Sequence, residues 1–229
     1  RLLAECLHDA GIPAGVFNYV CGGAAVGSAL VEHSQVGGVT FTGSYAVGME
    51  ILRKLASRRF PRPCIAEMGG KNACIVTASA DLARAASGIA RSAFGMGGQK
   101  CSALSRLYVH ESVADELIER LRAEIDAIRI GDPCVQENWL GPVVNERAYR
   151  RFADCAVRLV ADGGRLYAGG EQLRSGGLAR GYYVQPTLAE LPREHALWRE
   201  ELFLPVLSLA RTTDNADAMT LANASDFGL

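Results

Sequence analysis

GVTFTGSYAVGMEILRKLASR, residues 38 to 58, runs from β-forming residues through a glycine turn into a helical pattern. The first six residues read as a short buried strand closed by Gly43. Ser44 stands where a helix N-cap is expected, and Val47, Ile51, Leu52 and Leu55 recur at helical spacing on one face. A strand that passes through a tight turn directly into a helix is the opening of a βαβ unit. The free N–H groups at such a helix N-terminus also form a ready anion site. The spacing here is G-S-x-x-x-G, not the G-x-G-x-x-G of the common dinucleotide fingerprint, and many strand-to-helix turns carry Gly-Ser without a ligand.

The same alternation continues on both sides. RLLAECLHDAG at the start reads as the tail of an amphipathic helix closed by glycine. CIAEM (64–68) and ACIVT (73–77) are short apolar runs separated by GGKN. From Asp81 the positions Leu82, Ala85, Ala86, Ile89, Ala90 and Ala93 trace one helical face that stops at Gly95. RLYVHE (106–111) is strand-like. Ser112 with Asp115 resembles a capping box, opening a helix to roughly Arg129 with Val113, Leu117, Leu121, Ile125 and Ile128 inward. NERAYRRFADCAVRLVADGG (145–164) predicts another helix. GYYVQPTLAEL, LFLPVLSLAR and a helical run from Asp214 follow, and the glycines at 163–181 read as two turns around a short strand. Strands alternating with helices predict an α/β fold with a largely parallel sheet. The glycine pair after CIAEM places the expected division at Met68–Gly69, giving domains of residues 1–68 and 69–229.

Composition narrows the function classes. The chain has 229 residues, 49% hydrophobic and 21% charged, with a formal net charge of −1. That is globular composition, without the basic excess that nucleic acid or an anionic membrane would require. Aromatic residues are 7% and no basic run interleaves with them, which argues against a single-strand stacking platform. No apolar run reaches the ~20 residues of a spanning helix. The seven cysteines include no CxxC pair and the four histidines no HExxH, so neither a zinc site nor a redox pair is indicated. Free thiols in odd number suit a reducing, cytoplasmic setting.

Two residues carry candidate chemistry. FGMGGQKCSALSR (94–106) places Cys101 behind three glycines and after Lys100. A cationic neighbour favours the thiolate, and glycines let other groups approach; a cysteine is also often a small buried hydrophobe, as expected for Cys6, Cys64, Cys74 and Cys155. Glu67, at the end of an apolar run before two glycines, reads either as a solvent-facing strand end or as a general base held at a strand edge.

Taken in order, FTGSxxxG, E-M-G-G-K-N, G-Q-K-C and E-x-F-x-P-V (201–206) resemble the aldehyde dehydrogenases. The resemblance runs the whole chain, with Cys101 lying 34 residues after Glu67 and Glu201 lying 100 after Cys101. It implies part of a Rossmann-type dinucleotide-binding domain at 1–68 and a parallel-sheet α/β catalytic domain at 69–229. It also implies Cys101 as nucleophile and Glu67 as the base that activates water. NAD or NADP contacts fall on Gly43, Ser44 and Gly48, with Glu201 at the nicotinamide ribose and Phe203 beside the ring. Leu204 stands where that family usually has glycine. Members are about twice as long as this chain, so it is expected to be a central stretch, without the upstream asparagine of the oxyanion hole and inactive alone. The parent is expected to be a homo-oligomer with no metal.

FGMGGQKCSALSR and IAEMGGK are most similar to the glutamate-semialdehyde (1-pyrroline-5-carboxylate) branch of that family. There the residues flanking the cysteine, here Lys100 and Ser102, help to bind the substrate carboxylate; a cation and a hydroxyl suit a distal carboxylate. Another semialdehyde, such as that of 2-oxoglutarate, meets the same description. A cysteine hydrolase would need a paired histidine base and its orienting partner, and no such pattern is present.

Overall fold

The computed structural model describes residues 1–229, which divide into two compact units, Arg1–Met68 and Gly69–Leu229. The first contains helices α1 (Leu2–Asp9), α2 (Ala24–Glu32) and α3 (Tyr45–Ala56) and strands β1 (Val39–Thr42) and β2 (Cys64–Glu67). The strands pair in parallel, with Val39 opposite Cys64 and Thr42 opposite Glu67. Val31, Ile51 and Leu55 form its small core, against which Val39, Phe41 and Cys64 pack. β1 is not the buried strand that its sequence suggests. Val39 and Phe41 are half-buried while Thr40 and Thr42 are exposed, because helices cover only one face. Val47 is exposed as well. The inward position one step later belongs to Gly48, where a Cβ would come 2.4 Å from the Met68 sulfur. Nor is Cys6 buried: nothing in α1 is.

The second unit is a five-stranded sheet in the order β3-β4-β7-β6-β5. Its strands are β3 (Asn72–Val76), β4 (Leu104–His110), β5 (Arg165–Ala168), β6 (Thr187–Glu190) and β7 (Val206–Thr212). All neighbouring pairs are parallel except β5 with β6. Its helices are α4 (Leu82–Phe94), α5 (Glu111–Asp126), α6 (Glu146–Ala161) and α7 (Asn215–Asn223). The two-residue alternation of strands feeds two cores. Leu107, Val109, Leu207 and Leu209 pack with Ile89, Ala93, Leu117 and Leu121 of α4 and α5. Tyr108, Val206 and Ala210 pack with Phe152, Cys155 and Leu159 of α6 and Ala218 of α7. The unit is therefore a three-layer α/β/α stack.

Asp81, Asn145 and Asp214 cap α4, α6 and α7, each side chain accepting a backbone N–H three residues on. The expected capping box at Ser112 does not form. β4 runs directly into α5, and His110 is the cap, its Nδ1 accepting the Ser112 N–H at 3.2 Å. Asp115 instead meets Arg211 at 2.7 Å. No helix is long and apolar enough to cross a membrane.

Candidate active site

Parallel pairing of β3, β4, β7 and β6 brings their N-terminal ends to one edge of the second unit's sheet. Loops 69–71, 95–103 and 200–205 enter there, ahead of β3, β4 and β7. Crevices in open α/β sheets more often lie beyond the strands' C-terminal ends, where helix N-termini gather. Turns with left-handed backbone take that place here. Met96, Gly97 and Gly98 have φ of 55°, 67° and 66° in succession, and Phe203 has φ of 57°. Non-glycine residues so placed cost of order 1–3 kcal/mol and cluster where a site over-determines its backbone.

Glycines let these loops touch backbone to backbone. A Cβ on Gly98 would lie 2.3 Å from the Leu204 carbonyl oxygen. One on Gly69 would lie 2.4 Å from Glu201 Oε2, and one on Gly70 would lie 2.1 Å from the Cys101 carbonyl oxygen. Gly70 N–H donates to Glu201 Oε1 at 3.1 Å. Gln99 ties the loop around Cys101 down, its Oε1 accepting the Val144 N–H at 2.8 Å and its Nε2 donating to the Met96 carbonyl at 3.0 Å. Leu204 uses its side chain differently from a glycine: it is buried in the core facing α6 and α7.

Cys101, Lys100, Ser102, Glu201 and Phe203 thus share one sheet edge. Cys101 and Lys100 are half-buried, while Ser102 and Phe203 are exposed. The Lys100 ammonium lies over Gly95, 3.4 Å from where a Cβ would be. By contrast the Cys155 thiol is buried beneath α6, and burial pushes its pKa up to about 11, which makes it inert. Gly43, Ser44, Gly48 and Glu67 gather in the first unit, where Gly43 N–H donates to the Glu67 carbonyl at 3.0 Å. The Ser44 hydroxyl makes no capping bond to α3. A mainly apolar cleft of about 580 Å³ lies among α2, β1 and α3, bordered by Gly27, Ser28, Val39, Phe41, Val47 and Glu50. No group of three or more His, Cys, Asp or Glu side chains is placed to hold a metal.

Three residues at the edge had no role in the sequence reading. Asn72 donates from Nδ2 to the carbonyls of Cys101 and Ala103. Arg106 is buried on β4 and donates to the carbonyls of Lys71 at 2.6 Å and Ala222 at 3.0 Å, joining the start of β3 to the end of α7. Lys71 is fully buried, and its ammonium has no hydrogen-bond partner. Lys71 lies just before β3, Asn72 begins it and Arg106 lies within β4, and no local signal marks them, since burial is not readable from GGKN.

Burial, with Arg106 as a like-charged neighbour, lowers the Lys71 pKa from 10.5 to about 8. The unfolded chain therefore holds more protons than the folded one between those values, so this group's contribution makes stability rise as pH climbs from about 8 to 10.5. Lys71→Met removes a penalty of about 3 kcal/mol at pH 7. The expected result is a Tm raised by about 6–12 °C at pH 7, with the advantage over the parent chain fading by pH 10.5. Thermal melts of the two across pH test this, and a lower Tm for the variant at pH 7 would refute it.

The family model described as "Aldehyde dehydrogenase family" matches residues 1–229. The chain belongs to the aldehyde dehydrogenase family. Over 98% of its length it is 40% identical to 1-pyrroline-5-carboxylate dehydrogenase 1 of Halalkalibacterium halodurans, of which it covers 44%. A Thermus 1-pyrroline-5-carboxylate dehydrogenase solved with bound NAD superposes on the whole chain with TM-score 0.91 and 35% identity, 44% of that structure being covered. γ-Glutamyl-γ-aminobutyraldehyde dehydrogenase of Burkholderia cenocepacia gives TM-score 0.94 and 36% identity, over 100% of this chain and 46% of that one. The chain thus spans less than half the length of these relatives. Its mixed α/β architecture with a mostly parallel sheet is that of aldehyde dehydrogenases.

Proposed function

We propose that this chain forms the central part of an NAD(P)-dependent dehydrogenase that oxidises L-glutamate 5-semialdehyde to glutamate. The observation that carries the reading is the seating of Cys101. It sits half-buried three residues after the left-handed turn at Met96–Gly98, at a sheet edge shared with Glu201 and Phe203, in a chain of aldehyde dehydrogenase family membership. In this reading residues 1–68 belong to the dinucleotide-binding domain and 69–229 to the catalytic domain.

Cys101 Sγ attacks the aldehyde carbon as thiolate, forming a C–S bond and a thiohemiacetal oxyanion. When bound, a nicotinamide would supply the hydride acceptor, and Cys101 would then hold the acyl group as a thioester. Glu67 removes a proton from water, whose oxygen attacks the thioester carbon; the C–S bond breaks and the acid leaves. The first unit fits the dinucleotide, because the α3 N-terminus offers N–H groups to a pyrophosphate and the Ser44 hydroxyl is uncommitted. The cleft among α2, β1 and α3 is large and apolar enough for a ring. The Gly70 N–H occupies one acceptor site of Glu201, and a carboxylate offers about four, so ribose hydroxyls can still be held.

Lys100 and Ser102 flank the sulfur with an ammonium and a hydroxyl, and Lys100 makes no ion pair within the chain. A substrate carboxylate supplies that missing partner. Assayed in the full-length protein, kcat/KM should favour glutamate semialdehyde over hexanal by on the order of 10–100-fold per such contact. Lys100→Met should erase most of that preference and spare hexanal. A preference for the 2-oxoglutarate semialdehyde would reassign the substrate but keep the class. Equal use of plain and carboxylated aldehydes would sink the assignment.

A further inference from the structure

We propose that Asn72 is a positioning residue for the nucleophile: its side-chain amide holds the main chain of Cys101 in the reactive conformation. The inference rests on the reading of Cys101 as nucleophile and extends it to a residue outside the reacting set. The Asn72 Nδ2 donates to the Cys101 carbonyl at 2.6 Å and to the Ala103 carbonyl at 3.1 Å, so both of its N–H groups are spent on one short stretch.

The clamp sits where the sheet cannot do this work. β3 and β4 pair in parallel, but their register slips between Asn72, opposite Leu104, and Ala73, opposite Arg106. A register slip leaves backbone groups without ladder partners. Here the slip leaves Ser105 without a partner on β3, and residues 101–103, just ahead of β4, lie outside the ladder altogether. The side chain of the first residue of β3 replaces the missing ladder. Behind it, Gly70 leaves no room for the carbonyl to turn, since even a Cβ there would meet the Cys101 oxygen at 2.1 Å. The Cys101 carbonyl is thereby held from two sides. Its orientation is tied to the torsion about the Cys101 Cα–C bond, and with it to where Cα and the Cβ–Sγ bond stand relative to the held carbonyl.

Displacing a reacting atom by about 1 Å costs on the order of 10²-fold in rate. Asn72→Asp keeps the shape and removes both donors, placing a carboxylate against two carbonyl oxygens. In the full-length protein, the pre-steady-state burst of NADH with glutamate semialdehyde reads acylation of Cys101 alone. The burst rate constant of Asn72→Asp should fall roughly 10–100-fold, with the aldehyde KM within about threefold. Asn72→Ser keeps one hydroxyl donor and should fall between that variant and the parent, which decides the matter if the aspartate variant folds poorly. Protection of Cys155 from iodoacetamide reports that the core is intact. An unchanged burst rate in a variant with protected Cys155, whatever its Tm, would overturn the inference, because a merely structural role lowers stability without touching acylation. Cys101→Ala is the separate arm. If it keeps a burst, the nucleophile reading falls and the inference with it; if it is silent while Asn72→Asp and Asn72→Ser are as fast as the parent, only the inference falls.

Discussion

Glu67→Gln in the full-length protein should leave the first turnover intact and slow all later ones. Glu67 is the last residue of β2, exposed, and held by its main chain: it lies opposite Thr42 in the ladder, and its carbonyl accepts the Gly43 N–H. Its carboxylate enters no ion pair or side-chain hydrogen bond, so its lone pairs are free for water. Glutamine keeps the size and polarity but cannot take a proton at neutral pH. A general base is worth typically 10²–10⁴-fold in the step it serves, so steady-state turnover should drop by about that factor. Attack by the thiolate and loss of hydride precede the water step and need no base for water. The NADH burst should therefore persist at near-parent rate and an amplitude close to one per site, followed by a slow phase. Disappearance of the burst would move Glu67 from activating water to activating the thiol.

What the sequence discloses and what it hides divide along the range of the interactions. Asp81 and Asp214 stand beside the helices they cap, so a local pattern reveals the start of α4 and α7. α5 misleads because the true cap belongs to another element: His110 ends β4, and a histidine accepting a backbone N–H leaves no familiar mark. Asp115 looks like half of a capping box only until Arg211, 96 residues away, claims it. Val47 keeps helical spacing yet faces water, since Gly48 lets Met68 and Phe41 close on the backbone instead. The loop around Cys101 is legible in its glycines and its lysine. Its fastening is not. Asn72 reaches carbonyls 29 and 31 residues on, and Lys71 looks like a surface residue in GGKN but is fully buried.

The glycine pair is where these two ranges meet, and it carries the second large prediction. Gly70 has an ordinary φ, so nothing in its own backbone demands glycine; only its neighbour does. A methyl group there would sit 2.1 Å from the Cys101 carbonyl oxygen, a main-chain atom that no rotamer change can withdraw, and 3.1 Å from Asn72 Nδ2. Gly70→Ala must move the segment holding Cys101. Overpacking of this kind costs typically 1–3 kcal/mol, so the variant should fold with a lowered Tm. A shift near 1 Å at the sulfur should lower kcat by about 10²-fold or more while cofactor affinity holds. Gly69→Ala is the instructive contrast. Its φ of 77° strains any alanine, and its methyl would meet the Glu201 carboxylate, which is the end of a side chain and can swing aside. The burden there should fall on the KM for NAD(P), with the burst rate at saturating cofactor nearly kept. Measuring both variants by burst kinetics and cofactor titration separates the neighbours. If Gly70→Ala keeps the parent's burst rate, the contact between residue 70 and the main chain of Cys101 has no part in catalysis.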